Sequence, residues 1–299
     1  MHSATPRKRR LDVPAPLLVL AEMSFVQFGA ANARTLIRST NAIFAVCLRQ
    51  LIAGTLMLLV LRPAIRGRTR TQWLVVLVFA LALVAMNTLY YAAIARIPLG
   101  VTTTIEFLGP LTLAAVSSRR PKALLAVVLA LAGVVAVSGV LGTDLASLDG
   151  IGLLLALVSG AGWALHILTT RALGRHWQGL DGLALGIALA GVMLAPASVL
   201  LTNLGAIGPN LLAIGVLVAI FSSIIPYSIA VIVLRRVEPR VFGILMSLEP
   251  GVAAVIGFLV LGQALVPLQV LGMGLVIAAS ALVMADARQD QATALAELD

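Results

Sequence analysis

The sequence predicts an all-α integral membrane fold of ten transmembrane helices, built as two inverted five-helix repeats with both termini cytoplasmic. Three observations predict it. Hydrophobic residues make up 61% of the 299 and charged residues 11%, with a mean hydropathy of +1.07, a balance foreign to a water-soluble domain of this size. Ten apolar runs of roughly 20 residues, the length that crosses a bilayer's hydrocarbon, divide the chain between short seams. The order Tyr, Arg, Pro, Glu, Pro occurs twice, about 140 residues apart.

Residues 1–14 are a basic tail carrying Arg7-Lys8-Arg9-Arg10. The tail resembles the charged start of a signal peptide. The first apolar run, 15–34, is however longer than an h-region of about 7–15 residues, and no small-residue cleavage site closes it, so it reads as an uncleaved first span. Runs 41–61, 73–95, 98–117 and 123–141 complete the first repeat, 15–142, with seams at Arg62-Pro63 and Ser118-Arg119-Arg120-Pro121 where proline and charge interrupt the helices. Asp149-Gly150 opens the second repeat, 150–285, with runs 151–170, 180–201, 211–234, 240–261 and 266–285 and a further seam at Gly208-Pro209. Residues 286–299 are polar and read as a fraying cytoplasmic tail.

Basic residues set the orientation. With the N-terminus and every even-numbered seam inside, seventeen of the twenty-one Lys and Arg face the cytoplasm. Arg34, Arg38 and Arg96 remain outside, and Arg49 lies within the second span. Five spans per repeat is an odd number, so the two halves are inverted with respect to the membrane. In many secondary transporters that architecture holds a solute near the midplane between the halves.

Charges inside the spans carry most of the functional information. Glu22, Arg49, Glu106 and Glu249 lie several residues inside apolar runs, where a charge costs about 2.5–3.5 kcal/mol on insertion scales and needs a partner, a cavity or a proton. Glu106 precedes Pro110 and Glu249 precedes Pro250. Proline lacks an N–H, so Pro110 frees the carbonyl of Glu106 and Pro250 that of Met246. A carboxylate beside a free carbonyl suits an ammonium group or a proton, provided that it lines a cavity. The competing reading has these carboxylates pairing with arginines such as Arg49 to hold the bundle together; recurrence in both halves favours function. Glu22 occurs once, near the cytoplasmic end, and is open to both readings. Arg49 is either a clamp for a substrate carboxylate or a structural counter-ion.

Asn87, Tyr91, Trp163, His166, Ser222, Ser223 and Tyr227 are weaker candidates to line a solute path, since Tyr and Trp also anchor helices at membrane interfaces. Pro226 stands beside Tyr227 as a further helix break. Ser159-Gly160-Ala161-Gly162 and Gly182 to Gly186 read as close helix packing without chemistry. Asp144 and Asp149 lie in a short outer loop and read as helix caps.

Other classes lack their motifs. No Gly-Lys dipeptide occurs, which excludes a Walker loop and an ATP-driven pump within this chain; His-Glu-x-x-His and Gly-x-Ser-x-Gly are absent. Cys47 is the single cysteine and the three histidines are scattered, so no metal site or cofactor is expected. The net charge of +9 reflects arginines between apolar runs rather than a basic face for nucleic acid. A lipid-modifying enzyme or a non-transporting membrane subunit stays open as an alternative class.

Met86-Asn87 to Tyr91, Ile97-Pro98-Leu99-Gly100, Glu106-Phe107-Leu108-Gly109-Pro110 and Ser117 to Pro121 in the first half resemble the EamA group of the drug/metabolite transporter superfamily. So do Pro226-Tyr227-Ser228 and Phe242 to Pro250 in the second half, and the resemblance runs from about residue 16 to 286. It is strongest to the exporters of threonine and homoserine. It implies a ten-helix inner-membrane exporter with two EamA repeats around a central cavity, moving small neutral amino acids and driven by protons. Gly262-Gln263 departs from the Gly-Glu common in the group, and Glu22 and His166 are not part of its pattern. An amphiphilic amine or another metabolite is the alternative substrate.

Overall fold

The computed structural model describes residues 13–117, 121–138, 140–142, 148–202, 207–249, 251–252, 255 and 266–296, which are helical with turns and contain no strand. Pro250, the basic residues Arg7 to Arg10, Arg119-Arg120, Asp144 and Gly262-Gln263 lie outside the described residues.

The first apolar run continues past Arg34 as α1 (Ala15–Ser39), and α2 (Ala42–Leu61) follows after a tight break. Asn41 makes that break: its side chain accepts from the Phe44 amide at 2.9 Å as an N-cap and donates to the Leu201 carbonyl and the Thr202 hydroxyl. α3 (Arg70–Ile94) begins earlier than the apolar run at residue 73, because Thr69 and Gln72 form a capping box. α4 (Leu99–Val116) and α5 (Pro121–Ser138) complete the first half. α6 (Gly150–His176) is N-capped by Asp149 and runs six residues beyond the expected end at 170. α7 (Asp181–Leu201) contains Pro196.

The run expected at 211–234 is one segment in three parts: α8 (Pro209–Ala219), a π turn (Ile220–Ile224) and α9 (Ile225–Leu234). The turn follows from Pro226, which has no N–H for the Ser222 carbonyl; the Ile225 amide reaches back to Ile220 instead. Of the ninth expected run, α10 (Pro239–Met246) and a few residues after it are described. α11 (Pro267–Ala296) carries the last run straight into the expected tail, which is helical rather than frayed as far as Ala296. Alanines at 287, 292, 294 and 296 explain it, since alanine is the best helix former.

Six described helices are long and apolar enough to cross a membrane: α2, α3, α5, α6, α7 and the α8–α9 segment. Ala15–Gly29, Val101–Val116 and Pro267–Val283 are shorter apolar stretches. Large apolar side chains such as Val60 (80% exposed) and Leu200 (84% exposed) cover the outside, a surface that lipid covers and water does not tolerate. The chain is a multi-pass membrane protein.

α2 packs along α7, α5 along α11, α3 along α6 and α1 along α8–α9, and α4 touches both α6 and α10. Small residues set these approaches. A Cβ on Gly54 would collide with the Ala188 backbone, and one on Gly272 would lie 2.8 Å from the Gly133 carbonyl. At one end of the bundle Arg235 donates to the carbonyls of Gly174, Trp177 and Gly179 at 2.9, 3.1 and 2.6 Å, closing the C-terminus of α6. Arg68 stacks 4.7 Å from the Trp177 ring beside Asp181. At the opposite end Arg96 donates to Asp149 at 2.9 Å. With the Ile151 amide, that guanidinium holds the Asp149 carboxyl below the ordinary aspartate range.

Candidate functional site

Helices α1, α2, α3, α4, α6, α9 and α10 surround a cavity of about 460 Å³, within the size range of small-molecule sites. Arg49, Asn87, Tyr91, Glu106, Trp163, Tyr227 and Glu249 all line it, as do Glu22, His166, Ser222 and Pro226. Residues from both halves of the sequence thus meet in one chamber.

Arg49 reaches the cavity from α2 and donates through Nη2 to the Asn87 side-chain oxygen at 2.9 Å. Asn87 is oriented by its own amide, which donates to the Leu83 carbonyl at 2.8 Å. The Arg49 Nε is buried without a hydrogen-bond partner. A guanidinium fixed at one corner with donors to spare is suited to a carboxylate.

Glu106 is fixed by a close crossing of α4 and α6. A Cβ on Gly109 would collide with the Gly160 carbonyl, and one on Gly160 would sit 2.7 Å from the Glu106 carbonyl oxygen. The carbonyl that Pro110 frees therefore lies against α6 at Gly160. One residue before that glycine, the fully buried Ser159 hydroxyl is 2.7 Å from Oε1 of Glu106 and 2.9 Å from the Met86 carbonyl of α3.

Glu22 is 5% exposed and its Oε2 has no hydrogen-bond partner. His166 stands between Phe79 and Tyr227, with ring centroids 5.0 and 5.4 Å away, and its Nδ1 is unpartnered. Trp163 meets Phe107 edge-on at 4.8 Å. Ser222, in the π turn, fills the space beside Gly29 of α1, so the irregular backbone sits on the cavity wall. Among the described lining residues one guanidinium, Arg49, shares the chamber with three carboxyls, Glu22, Glu106 and Glu249. Such a chamber can hold a molecule with an ammonium group, with Arg49 available for a carboxylate.

The sequence reading missed Gln27, Tyr90, Thr103 and Thr170 on the lining, and it assigned Ser159 to packing alone. Helical spacing is the signal that finds all but Gln27: Tyr90 is three residues from Asn87, Thr103 three from Glu106, Thr170 four from His166 and Ser159 four from Trp163. The Tyr90 and Thr103 hydroxyls are 3.4 Å apart.

Residues 150–285 match the EamA-like transporter family. The threonine/homoserine exporter RhtA of Salmonella typhimurium (strain LT2) is 39% identical over 274 residues, covering 91% of this chain and 92% of the relative. RhtA of Escherichia coli (strain K12) is 38% identical over the same shares of the two chains. A protein known from its crystal structure, 17% identical, superposes with a TM-score of 0.74 over 92% of this chain and 98% of its own. That likeness concerns the fold alone.

Proposed function

Because the chain belongs to the EamA-like transporter family, we propose that it is a proton-coupled exporter of small neutral amino acids of the threonine and homoserine kind, working by alternating access across a bacterial inner membrane. One observation carries the reading. The Asn87-anchored Arg49 and the carboxyls Glu106 and Glu249 line the same cavity, matching the carboxylate and the ammonium of a zwitterion. The names of the relatives agree with it.

The cavity lies between two inverted repeats, 15–142 and 150–285, of five spans each, with both termini cytoplasmic. The packing supports this pairing: α3 lies along α6 as the α8–α9 segment lies along α1, and the pairs α2 with α7 and α5 with α11 map onto themselves. The ends of α3 and α9 agree bond for bond. Arg96 and Ile97 amides donate to Ala93 at 2.9 and 3.0 Å, and Arg236 and Val237 amides to Val233 at 2.8 and 2.9 Å, each just before the N-cap of the next helix, Pro98 in one half and Glu238 in the other. In this register Gly109 corresponds to Glu249, so the two carboxyls stand about one turn apart on equivalent segments.

In the cycle the halves rock about the cavity. Arg49 takes the substrate carboxylate, while Glu106 or Glu249 exchanges a proton for the substrate ammonium. The substrate leaves outward as a proton enters. Glu106→Gln and Glu249→Gln test these roles. Each is expected to abolish export or its pH dependence at normal expression, and full pH-dependent export by both would overturn them. Three carboxyls against one guanidinium among the described lining residues favour a second reading, a cationic amine. Resistance of overexpressing cells to a panel of amino acids and amines separates the two.

A further inference from the structure

We propose that the Ser159 hydroxyl is a two-position switch, donating to Glu106 when that carboxyl is ionised and to the Met86 carbonyl when it is protonated. It thereby ties proton occupancy of the cavity to the contact between α6 and α3. The inference rests on the proton-coupled reading of the same cavity.

A serine hydroxyl has one proton to give, and here two oxygens compete for it, Oε1 of Glu106 at 2.7 Å and the Met86 carbonyl at 2.9 Å. A backbone carbonyl only accepts. Both contacts are hydrogen bonds at once only when Glu106 supplies a proton to Oγ while the hydroxyl donates to Met86. When Glu106 is ionised, its Oε1 takes the serine proton and the Met86 contact becomes two facing lone pairs. Ser159 is fully buried, so no water reaches its hydroxyl to relieve that contact. The surrounding backbone is fixed, since Gly160 abuts Glu106 and a Cβ on Gly162 would sit 3.3 Å from the Met86 amide. The hydroxyl rotor is the part free to change.

The titratable and charged groups that line the cavity with Glu106 are Tyr90 and Tyr91 of α3, Arg49 of α2, His166 of α6, Tyr227 of α9, Glu22 of α1 and Glu249 beyond α10. Helix α5, also packed on α4, has among its residues only Lys122, in its first turn. Ser159 is the hydrogen-bond partner found for the Glu106 carboxyl among the described residues. No cation competes for that role there.

Proteoliposomes holding the whole protein test the switch through the pH profile of amino-acid flux. Removing a charge-assisted bond is expected to shift the pH-dependent limb of Ser159→Ala by about one unit, with Ser159→Thr restoring it. A limb that stays in place in Ser159→Ala overturns the switch and leaves the proton-coupled reading standing. A wild-type flux with no pH-dependent limb overturns both. Should Ser159→Ala fail to assemble, infrared difference spectra of the wild-type protein decide. The carboxylic C=O band abolished by Glu106→Gln is expected where a hydrogen-bond-donating acid absorbs, and the band of a free acid overturns the proposal.

Discussion

Replacing Gly160 by alanine sets a methyl 2.7 Å from the Glu106 carbonyl oxygen and 3.2 Å from its Cα. Both are backbone atoms and neither can swing aside. Ordinary contact begins near 3.4 Å, so α4 and α6 must part by about 0.7 Å. The same movement stretches the 2.7 Å contact between Ser159 and Glu106 to about 3.4 Å, past the range of a useful O–H···O bond. Overpacking of this size costs roughly 1–3 kcal/mol, and moving a binding group by most of an ångström is expected to slow transport at least tenfold, within the roughly hundredfold a 1 Å misplacement can cost. The assay pairs melting in detergent with flux in proteoliposomes, and Gly274→Ala serves as control because its Cβ meets nothing within 4 Å. Gly160→Ala is expected to melt lower and transport at least about tenfold more slowly, with Gly274→Ala near wild type. Normal melting and flux in Gly160→Ala would refute the reasoning that this crossing positions Glu106.

Arg49→Lys keeps the charge and loses the planar fork, so the KM for the transported amino acid is expected to rise about tenfold with little change in melting; an unchanged KM removes Arg49 from the substrate. Arg235→Gln gives up the guanidinium that closes the end of α6, and should lower the melting temperature while leaving substrate affinity alone. Asp149 has its carboxyl held below the ordinary range by Arg96 and the Ile151 amide. Its contribution is therefore complete above about pH 3.9, the unfolded value, and disappears as pH falls through the lower folded value. Melting of Asp149→Asn against wild type should differ at neutral pH and converge in acid. A difference that persists there assigns the effect to something other than this charge.

Most helix positions were legible because apolar runs of spanning length are hard to read otherwise. α2 and α7 fall within a residue of the runs at 41–61 and 180–201. The errors come from residues whose polarity hid a continuing helix. Arg171 to His176 fall between the runs at 151–170 and 180–201 and read as a seam, yet α6 extends through them and meets Arg235 at Gly174. Thr69 and Gln72 carried a start signal upstream of the apolar run. The π turn follows from Pro226 but has no reading in hydropathy. In the site, buried charge made Glu106, Glu249 and Arg49 visible. Ser159 stayed hidden because a serine among glycines looks like packing, and only the crossing of α4 with α6 brings a carboxyl to it.

Flux in proteoliposomes containing only this chain, with an imposed pH gradient, tests the central claim most directly. Labelled threonine is expected to be driven against its own gradient as protons move the opposite way, a protonophore to collapse this, and Glu106→Gln and Glu249→Gln to abolish it. No amino-acid flux under any gradient, from protein that is folded and inserted, would contradict it.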